Sequence, residues 1–407
     1  MTAGSLTIVN AAVFDGVSAE LTEGPIHVSG GTIVEIGGAP RAAGEVIDAR
    51  GGTVVPGLID AHFHAYGTEL DLLTLESSPL SYVALAAAGR LAAALGRGFT
   101  TVRDVAGGDP GLAKAITRGL IAAPRYLYTG PALSQTGGHG DPRPGDQDLC
   151  SCSSHMAEIV DGVDALRRAV RDRFRRGAHA IKIMASGGVV SLTDPIRVPQ
   201  YSPEEIRAVT DEAARRGSYV AAHAYSPEAI AHAVENGVRT IEHGNLLDAP
   251  AARLMAGHDA FLVPTLAAYD AMDRRGAELG LAPVSQAKNR EVLDAGRRAI
   301  ELARAAGVRI GFGSDLMGEL EDEQLTGLRL QVEVEGPLAA LRSATSVNAE
   351  IIGRPDLGRV EVGATADLLI LDGDPFEDPS VLWAGPERRT VVQNGTARRF
   401  TGSAHWR

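Results

Sequence analysis

Two histidines one residue apart, His62 and His64, close the stretch Thr-Val-Val-Pro-Gly-Leu-Ile-Asp-Ala-His-Phe-His that begins at Thr53. Residues two apart on a strand point to the same face, so both imidazoles can reach one metal ion. The run before them is apolar and β-branched, as a buried parallel strand should be. Later strand-like segments carry residues of matching chemistry. Residues 180–186 hold Lys182, a lone cation in an apolar run; 219–225 hold His223, 240–245 hold His243, and 309–315 end on Asp315. Imidazole and carboxylate are ligands for a divalent cation such as zinc. A lysine is a poor ligand as an ammonium, but burial among cations lowers its pKa. The neutral amine can then capture CO₂ as a carbamate, an anion whose two oxygens can bridge two metals.

Positioning such residues requires a scaffold whose strands end at one place. The 407 residues suit a barrel of about 250 residues plus a second module. Between 57 and 355 strand and helix signals alternate eight times, the strands ending near His62, Val105, Ser134, Ser186, Tyr225, Asn245, Leu266 and Asp315. Helical segments are expected at 80–98, 158–177, 203–217, 227–237 and 286–307, several closing on glycine. Ser202-Pro203-Glu-Glu and Ser226-Pro227-Glu put serine at the N-cap, proline at N1 and acid in the first turn. This pattern predicts an α/β protein with a (β/α)8 TIM-type barrel at 57–355, its active site at the C-terminal strand ends. The flanks read differently, as short strands at 6–10, 26–28, 32–36, 45–48, 367–371 and 389–393, with Asn394-Gly395 as a hairpin turn. They predict a small β-sandwich domain built from both chain ends, residues 1–56 and 356–407.

The net charge of −12 and a pI near 5.4, without a basic stripe, argue against a nucleic-acid partner. The densest basic run, 167–176, lies on an expected helix and reads as a solvated face. The two cysteines, Cys150 and Cys152, cannot form a disulfide framework, which fits a reducing compartment. Two thiols in a loop also make a poor closed metal site. No signal-peptide pattern opens the chain and no apolar run is long enough to span a bilayer. A cytoplasmic protein with no membrane partner is expected, and a homo-oligomer is left open.

Pro56-Gly57-Leu58-Ile59-Asp60-Ala61-His62-Phe63-His64, Lys182, His223, His243 and Asp315, in that order, resemble the amidohydrolase superfamily over nearly the whole chain. The resemblance implies a binuclear metal centre. His62, His64 and Asp315 would hold one ion and His223 and His243 a second, with carbamylated Lys182 and a hydroxide bridging them. Zn²⁺ is expected, with Mn²⁺ or Co²⁺ as alternatives. It further implies hydroxide attack on a carbonyl polarised by the second ion, with Asp315 as general base and then acid.

The loop Gln135-Thr-Gly-Gly-His139-Gly-Asp141, the exit Ser186-Gly-Gly-Val189, Thr193-Asp-Pro195 and His223-Ala-Tyr225 resemble one branch of that superfamily. It contains Xaa-Pro dipeptidases (prolidases), carboxypeptidases and N-acyl amino acid hydrolases, with imidazolonepropionase-related enzymes as neighbours. The branch implies that His139 and Tyr225 contact the substrate carbonyl or carboxylate. Arg197 reads either as a partner for a substrate carboxylate or as a surface arginine. Tyr66 reads either as pocket lining or as packing. Asp104 reads as structural or as support for the metal ligands. His27, His155, His179, His232, His258 and His405 read as structural or exposed. Deaminases of the superfamily generally use one metal and a glutamate on the exit from the fifth strand, where this chain has Tyr225 and Ser226.

The expected function is therefore hydrolysis of a small-molecule amide, Xaa-Pro dipeptides or N-acyl amino acids foremost. A hydrolase of xenobiotic amides, carbamates or ureas is the alternative, with a cyclic-amide (imidazolone-type) hydrolase beside it. The non-enzyme alternative is a degenerate barrel scaffold.

Overall fold

The computed structural model describes residues 4–39, 44–143, 155–192, 194–398 and 400, so Cys150, Cys152, Thr193 and His405 lie outside the described residues. Strands Leu58–Phe63, Phe99–Asp104 and Arg125–Tyr128 pair in parallel as one three-stranded sheet. A seven-stranded parallel sheet contains, in spatial order, Ala157–Ile159, Ala132–Ser134, Ile181–Met184, Val220–Ala224, Thr240–His243, Phe261–Val263 and Arg309–Ile310. Backbone hydrogen bonds link the two sheets. His179 N donates to Tyr128 O at 2.8 Å, Ala61 N to Phe312 O at 2.9 Å and Asp315 N to His62 O at 2.8 Å.

Side chains alternate along these strands as a period of two requires. Ile181 and Ile183 join an apolar cluster with Leu166, Val170, Ile206 and Val209 of the neighbouring helices, while Lys182 faces the other way. The helices Leu80–Gly96, Val163–Arg175, Pro203–Ala214, Pro227–Glu235 and Pro283–Ala306 sit close to their expected places. Ser202 and Glu205 form a reciprocal capping box, and Ser226 accepts from Ala229 N.

Three local differences have clear causes. The helix expected from 158 begins at Val163, because Ala157–Ile159 pairs as a strand and the Asp161 carboxylate is drawn to Thr136. The strand expected to end near Ser134 is two short strands, parted at Gly130, whose φ of 72° lies in the left-handed region. The strand expected to reach Leu266 stops at Val263, and Leu266 instead starts the helix Leu266–Arg275.

The chain ends build two further sheets. Thr32–Ile36, Ile26–Ser29, Ser5–Val9 and Glu45–Asp48 form a four-stranded sheet. A six-stranded one contains, in order, Thr396–Arg398, Arg389–Gln393, Leu368–Leu371, Thr53–Pro56, Ala12–Val13 and Thr22–Glu23. Ile8, Ile26, Ile33, Val54, Leu368 and Val392 from the two sheets share one apolar cluster. The Thr53–Pro56 strand passes directly into Leu58–Phe63, so this packing fixes where the histidine strand starts. Among the described residues no helix is long and apolar enough to cross a membrane.

Two buried side chains tie the start of the parallel array to its end. Asp60 accepts from His62 N at 3.0 Å, Ser314 N at 3.1 Å, Ser314 Oγ at 2.6 Å and Gln324 Nε2 at 2.8 Å. Asn348 Nδ2 donates to Ile59 O at 2.6 Å and Phe312 O at 2.8 Å, while its Oδ1 accepts from Phe312 N at 3.1 Å. Asn348→Ala strips these bonds from buried backbone atoms. Urea unfolding should show it about 2–4 kcal/mol less stable; a loss under about 0.5 kcal/mol would mean the tie carries little.

Candidate functional site

The C-terminal strand ends converge on a cleft of about 840 Å³, counting the space open to solvent, lined by His62, His64, Lys182, His223, His243 and Asp315. Asp315 is the centre. Its Oδ1 lies 2.8 Å from His64 Nε2 and 3.3 Å from His62 Nε2, and its Oδ2 lies 3.6 Å from His243 Nδ1. One ligand atom from each of His62, His243 and Asp315 falls within 4.8 Å of the others. The backbone is strained at two of these positions, since His243 (φ 75°) and Asp315 (φ 55°) occupy the left-handed region. The approach of the last segment to His62 needs a glycine, because a Cβ at Gly313 would stand 2.4 Å from His62 Cβ.

The partners of each imidazole decide which nitrogen is free. His62 Nδ1 donates to Glu242 Oε2 at 2.8 Å, leaving the Nε2 lone pair toward Asp315. His223 Nε2 donates to Gly187 O at 3.1 Å, which leaves its Nδ1 lone pair. His243 Nδ1 lies 2.9 Å from Thr265 Oγ1 and 2.8 Å from Tyr269 OH, which leaves its Nε2. His64 Nδ1 is buried with no hydrogen-bond partner among the described residues. An imidazole that spends one N–H on a fixed acceptor and keeps the other lone pair is the arrangement of a metal ligand.

Protonation points the same way. Burial, with Lys182 and neighbouring imidazoles adding to it, holds His223 and His243 well below the ordinary histidine range, against the pull of Asp315 at His243. Burial also lowers His64, with Asp315 opposing. At His62 burial is outweighed by Asp315, and the pKa is raised. Burial would raise Asp315, but His62, His64 and His243 hold it well below the carboxylate range. Burial pushes Lys182 down to about 8, and its Nζ has no hydrogen-bond or ion-pair partner among the described residues. A lysine that gives up its proton more readily than a free one, imidazoles held neutral at His64, His223 and His243, and an ionised carboxylate fit a divalent-cation centre with a carbamate at Lys182.

His139 and Tyr225 also line the cleft. The His139 ring stacks on His223 at 4.2 Å between centroids. Tyr225 stacks on His243 at 5.1 Å, its hydroxyl 2.8 Å from Tyr269 OH. Two expected residues do not join them. Arg197 is exposed and ion-paired with Glu291 at 2.5 Å, outside the lining. Tyr66 is buried by packing and donates to Asp109 at 2.9 Å, also outside the lining. Asp104 accepts from Tyr126 OH at 2.7 Å and from Ala65 N at 3.2 Å beneath the site, and burial raises it to about 7. His155, His179 and His232 each reach a backbone carbonyl, as structural histidines do.

Sequence reasoning missed Glu242, Arg103 and Tyr269. Arg103 Nη2 donates to Glu242 Oε1 at 2.8 Å, both side chains fully buried, so a charged chain runs from Arg103 through Glu242 to His62. Burial opposes the Glu242 charge, yet Arg103 and His62 hold its pKa below the ordinary range. The signal was present: both are charged residues inside apolar strands. The remaining walls are mostly apolar, with Leu70, Leu72, Val189, Val190, Leu320 and the methionines Met156, Met184, Met272 and Met317, and hold one carboxylate, Glu76, which accepts from the amides of His155, Met156 and Ala157.

The model of the Amidohydrolase family matches residues 53–398. An ochratoxinase of Aspergillus niger is 34% identical over 383 residues, covering 87% of this chain and 77% of the relative. A crystal structure described as a prolidase complexed with N-methylphosphonate-L-proline is 46% identical, with a TM-score of 0.95 over 98% of this chain and 100% of that one. One described as a Xaa-Pro dipeptidase with methionine bound in the active site is 30% identical, with a TM-score of 0.86 over 97% of this chain and 100% of that one.

Glu242→Ala would leave a buried guanidinium without its counter-charge and His62 without its acceptor. Denaturant titration should find it about 3–5 kcal/mol less stable. Chelator competition should find divalent ions held about 10–100-fold more weakly. Unaltered retention of metal would rule out the support given to His62.

Proposed function

The chain belongs to the amidohydrolase family, and from that premise we propose that it is a metal-dependent hydrolase of amides whose leaving amine carries a free carboxylate. Xaa-Pro dipeptides and N-acyl amino acids are the substrates it fits best. The observation that carries this reading is the convergence of His62, His223, His243, Lys182 and Asp315 on one cleft, with one ring nitrogen of His62 and one of His223 already committed to a fixed acceptor. The similarity to the structures described as a prolidase and a Xaa-Pro dipeptidase supports the substrate class.

In this reading the parallel strands close as a (β/α)8 barrel, residues 57–355, and the two end-built sheets are a separate sandwich domain, 1–56 and 356–407. The hydrogen bonds of Ala61 and Asp315 to the opposite strand support closure. His62, His64 and Asp315 would hold one divalent ion and His223 and His243 a second, with Lys182 as a carbamate. Zinc is the expected metal, manganese or cobalt the alternatives. Bound there, the ions supply a water of lowered pKa and polarise the scissile carbonyl. Asp315 accepts the proton of the attacking water and delivers it to the leaving nitrogen. His139 and Tyr225 meet the carbonyl or the leaving-group carboxylate. The methionine- and leucine-lined walls take the acyl side and keep bulk water from it. The low cysteine content supports a reducing, cytoplasmic setting.

A second reading, a hydrolase of bulky xenobiotic amides, is favoured by one specific feature. Among the described residues no arginine lines the cleft, Arg197 being engaged with Glu291. The apolar walls agree with it.

Zinc-reconstituted protein assayed against Xaa-Pro dipeptides, N-acyl amino acids and bulky aryl amides without a carboxylate separates the two. Turnover of dipeptides or acyl amino acids, rising about tenfold or more from a glycyl to a leucyl or phenylalanyl acyl side, supports the leading reading. Asp315→Asn should stay folded and lose about 10²-fold or more in kcat. Turnover restricted to the carboxylate-free amides supports the second reading, and a fully active Asn variant would sink the role of Asp315.

A further inference from the structure

The segment after Ile181–Met184 folds over His139 and carries polar contacts that the proposed reaction leaves without a task. We propose that Asp194, acting through Ser191, is a positioning residue for His139: the pair fixes which ring nitrogen carries the proton and aims the other at the substrate. The proposal rests on the reading that His139 meets the substrate.

The geometry is a buried relay. His139 Nδ1 lies 2.8 Å from Ser191 Oγ, and Ser191 Oγ donates in turn to Asp194 Oδ1. His139, Ser191 and Asp194 are all buried. A carboxylate only accepts, so the single hydroxyl hydrogen of Ser191 is committed to Asp194. The serine oxygen can then only accept from His139, which puts the proton on Nδ1. The other hydroxyl acceptor, Gly188 O, is farther away at 3.3 Å. His139 Nε2 has no partner among the described residues and is the nitrogen left for the cleft. The relay thereby sets the sense of the hydrogen bond that Nε2 makes with the substrate.

The relay is itself held in place. Asp194 Oδ2 accepts from Gly188 N at 3.1 Å and from Gln200 Nε2 at 3.2 Å, and Gln200 Oε1 accepts from His139 N at 3.1 Å. Lys288 Nζ, from the helix Pro283–Ala306, donates to the carbonyls of Gly188, Ser191 and Asp194 at 2.9, 2.9 and 2.8 Å. Gly188 lies flat against the imidazole, where a Cβ would come within 2.0 Å of His139 Cε1. With His223 stacked on the ring as well, His139 has one open edge.

The test is a double-mutant cycle with a spectroscopic readout. Asp194→Asn and Ser191→Ala should each lower kcat/KM by about tenfold or more, with metal content unchanged, and Ser191→Thr should restore most of it. In a His139→Asn background, removing Asp194 should cost nothing further. Selective ¹⁵N-histidine NMR should find His139 as the Nδ1–H tautomer in the parent and in Ser191→Thr, and a shifted tautomer population in Ser191→Ala. Additive losses, or a tautomer that ignores both variants, would overturn the relay. A His139→Asn protein that hydrolyses amides normally would overturn the substrate contact of His139, and the relay with it, while leaving the hydrolase reading intact. The NMR result stands even if no substrate in the panel is turned over.

Discussion

The site depends on one buried carboxylate. His64 and Asp315 are 251 residues apart in sequence, yet they must meet at hydrogen-bond distance. Asp60 makes this happen by accepting simultaneously from the His62 amide and from the amide and hydroxyl of Ser314. Burial raises the Asp60 pKa, against four donors that lower it. Arg90 adds a second clamp, its guanidinium donating to His64 O, Gly318 O and Leu316 O. These contacts overdetermine the backbone on both sides of Asp315, which is how a non-glycine residue persists at φ 55°. Strain that would cost of order 1–3 kcal/mol in isolation is absorbed by a set of buried hydrogen bonds.

Around that frame the charges are arranged in layers. Deepest is the Arg103–Glu242 pair, which gives His62 a fixed acceptor. Above it lie imidazoles kept neutral by burial, a lysine brought to about 8, and a single ionised carboxylate. Above these come His139 and two linked tyrosines, and then apolar wall. An arrangement of this kind concentrates electrostatic work on the reacting carbonyl and leaves the acyl group to hydrophobic contact.

Much of this was legible in the chain. Charged or imidazole residues inside apolar strands cannot be there for burial, so His62, His64, Lys182, His223, His243 and Asp315 stood out before any coordinates. Strand and helix periodicity placed most elements to within a few residues, and the Asn394-Gly395 hairpin turned where expected. What the sequence hid was local competition. Asp161 pulled a helix start five residues on, from 158 to Val163, by bonding to Thr136. Arg197 had two readings, and only the position of Glu291, far along the chain, chose between them. Glu242 and Arg103 were as conspicuous as Lys182 but had no obvious ligand role. Their meaning appears only when two strands are brought side by side.

The central claim is that these six side chains form a two-metal centre. The most direct measurement is X-ray anomalous scattering at the zinc edge from crystals of protein reconstituted with zinc and bicarbonate. A two-metal centre should give two peaks, one against His62, His64 and Asp315 and one against His223 and His243, with extra density on Lys182 Nζ reaching both. No peak in the cleft, or a single peak with Lys182 as an unmodified ammonium, would contradict it.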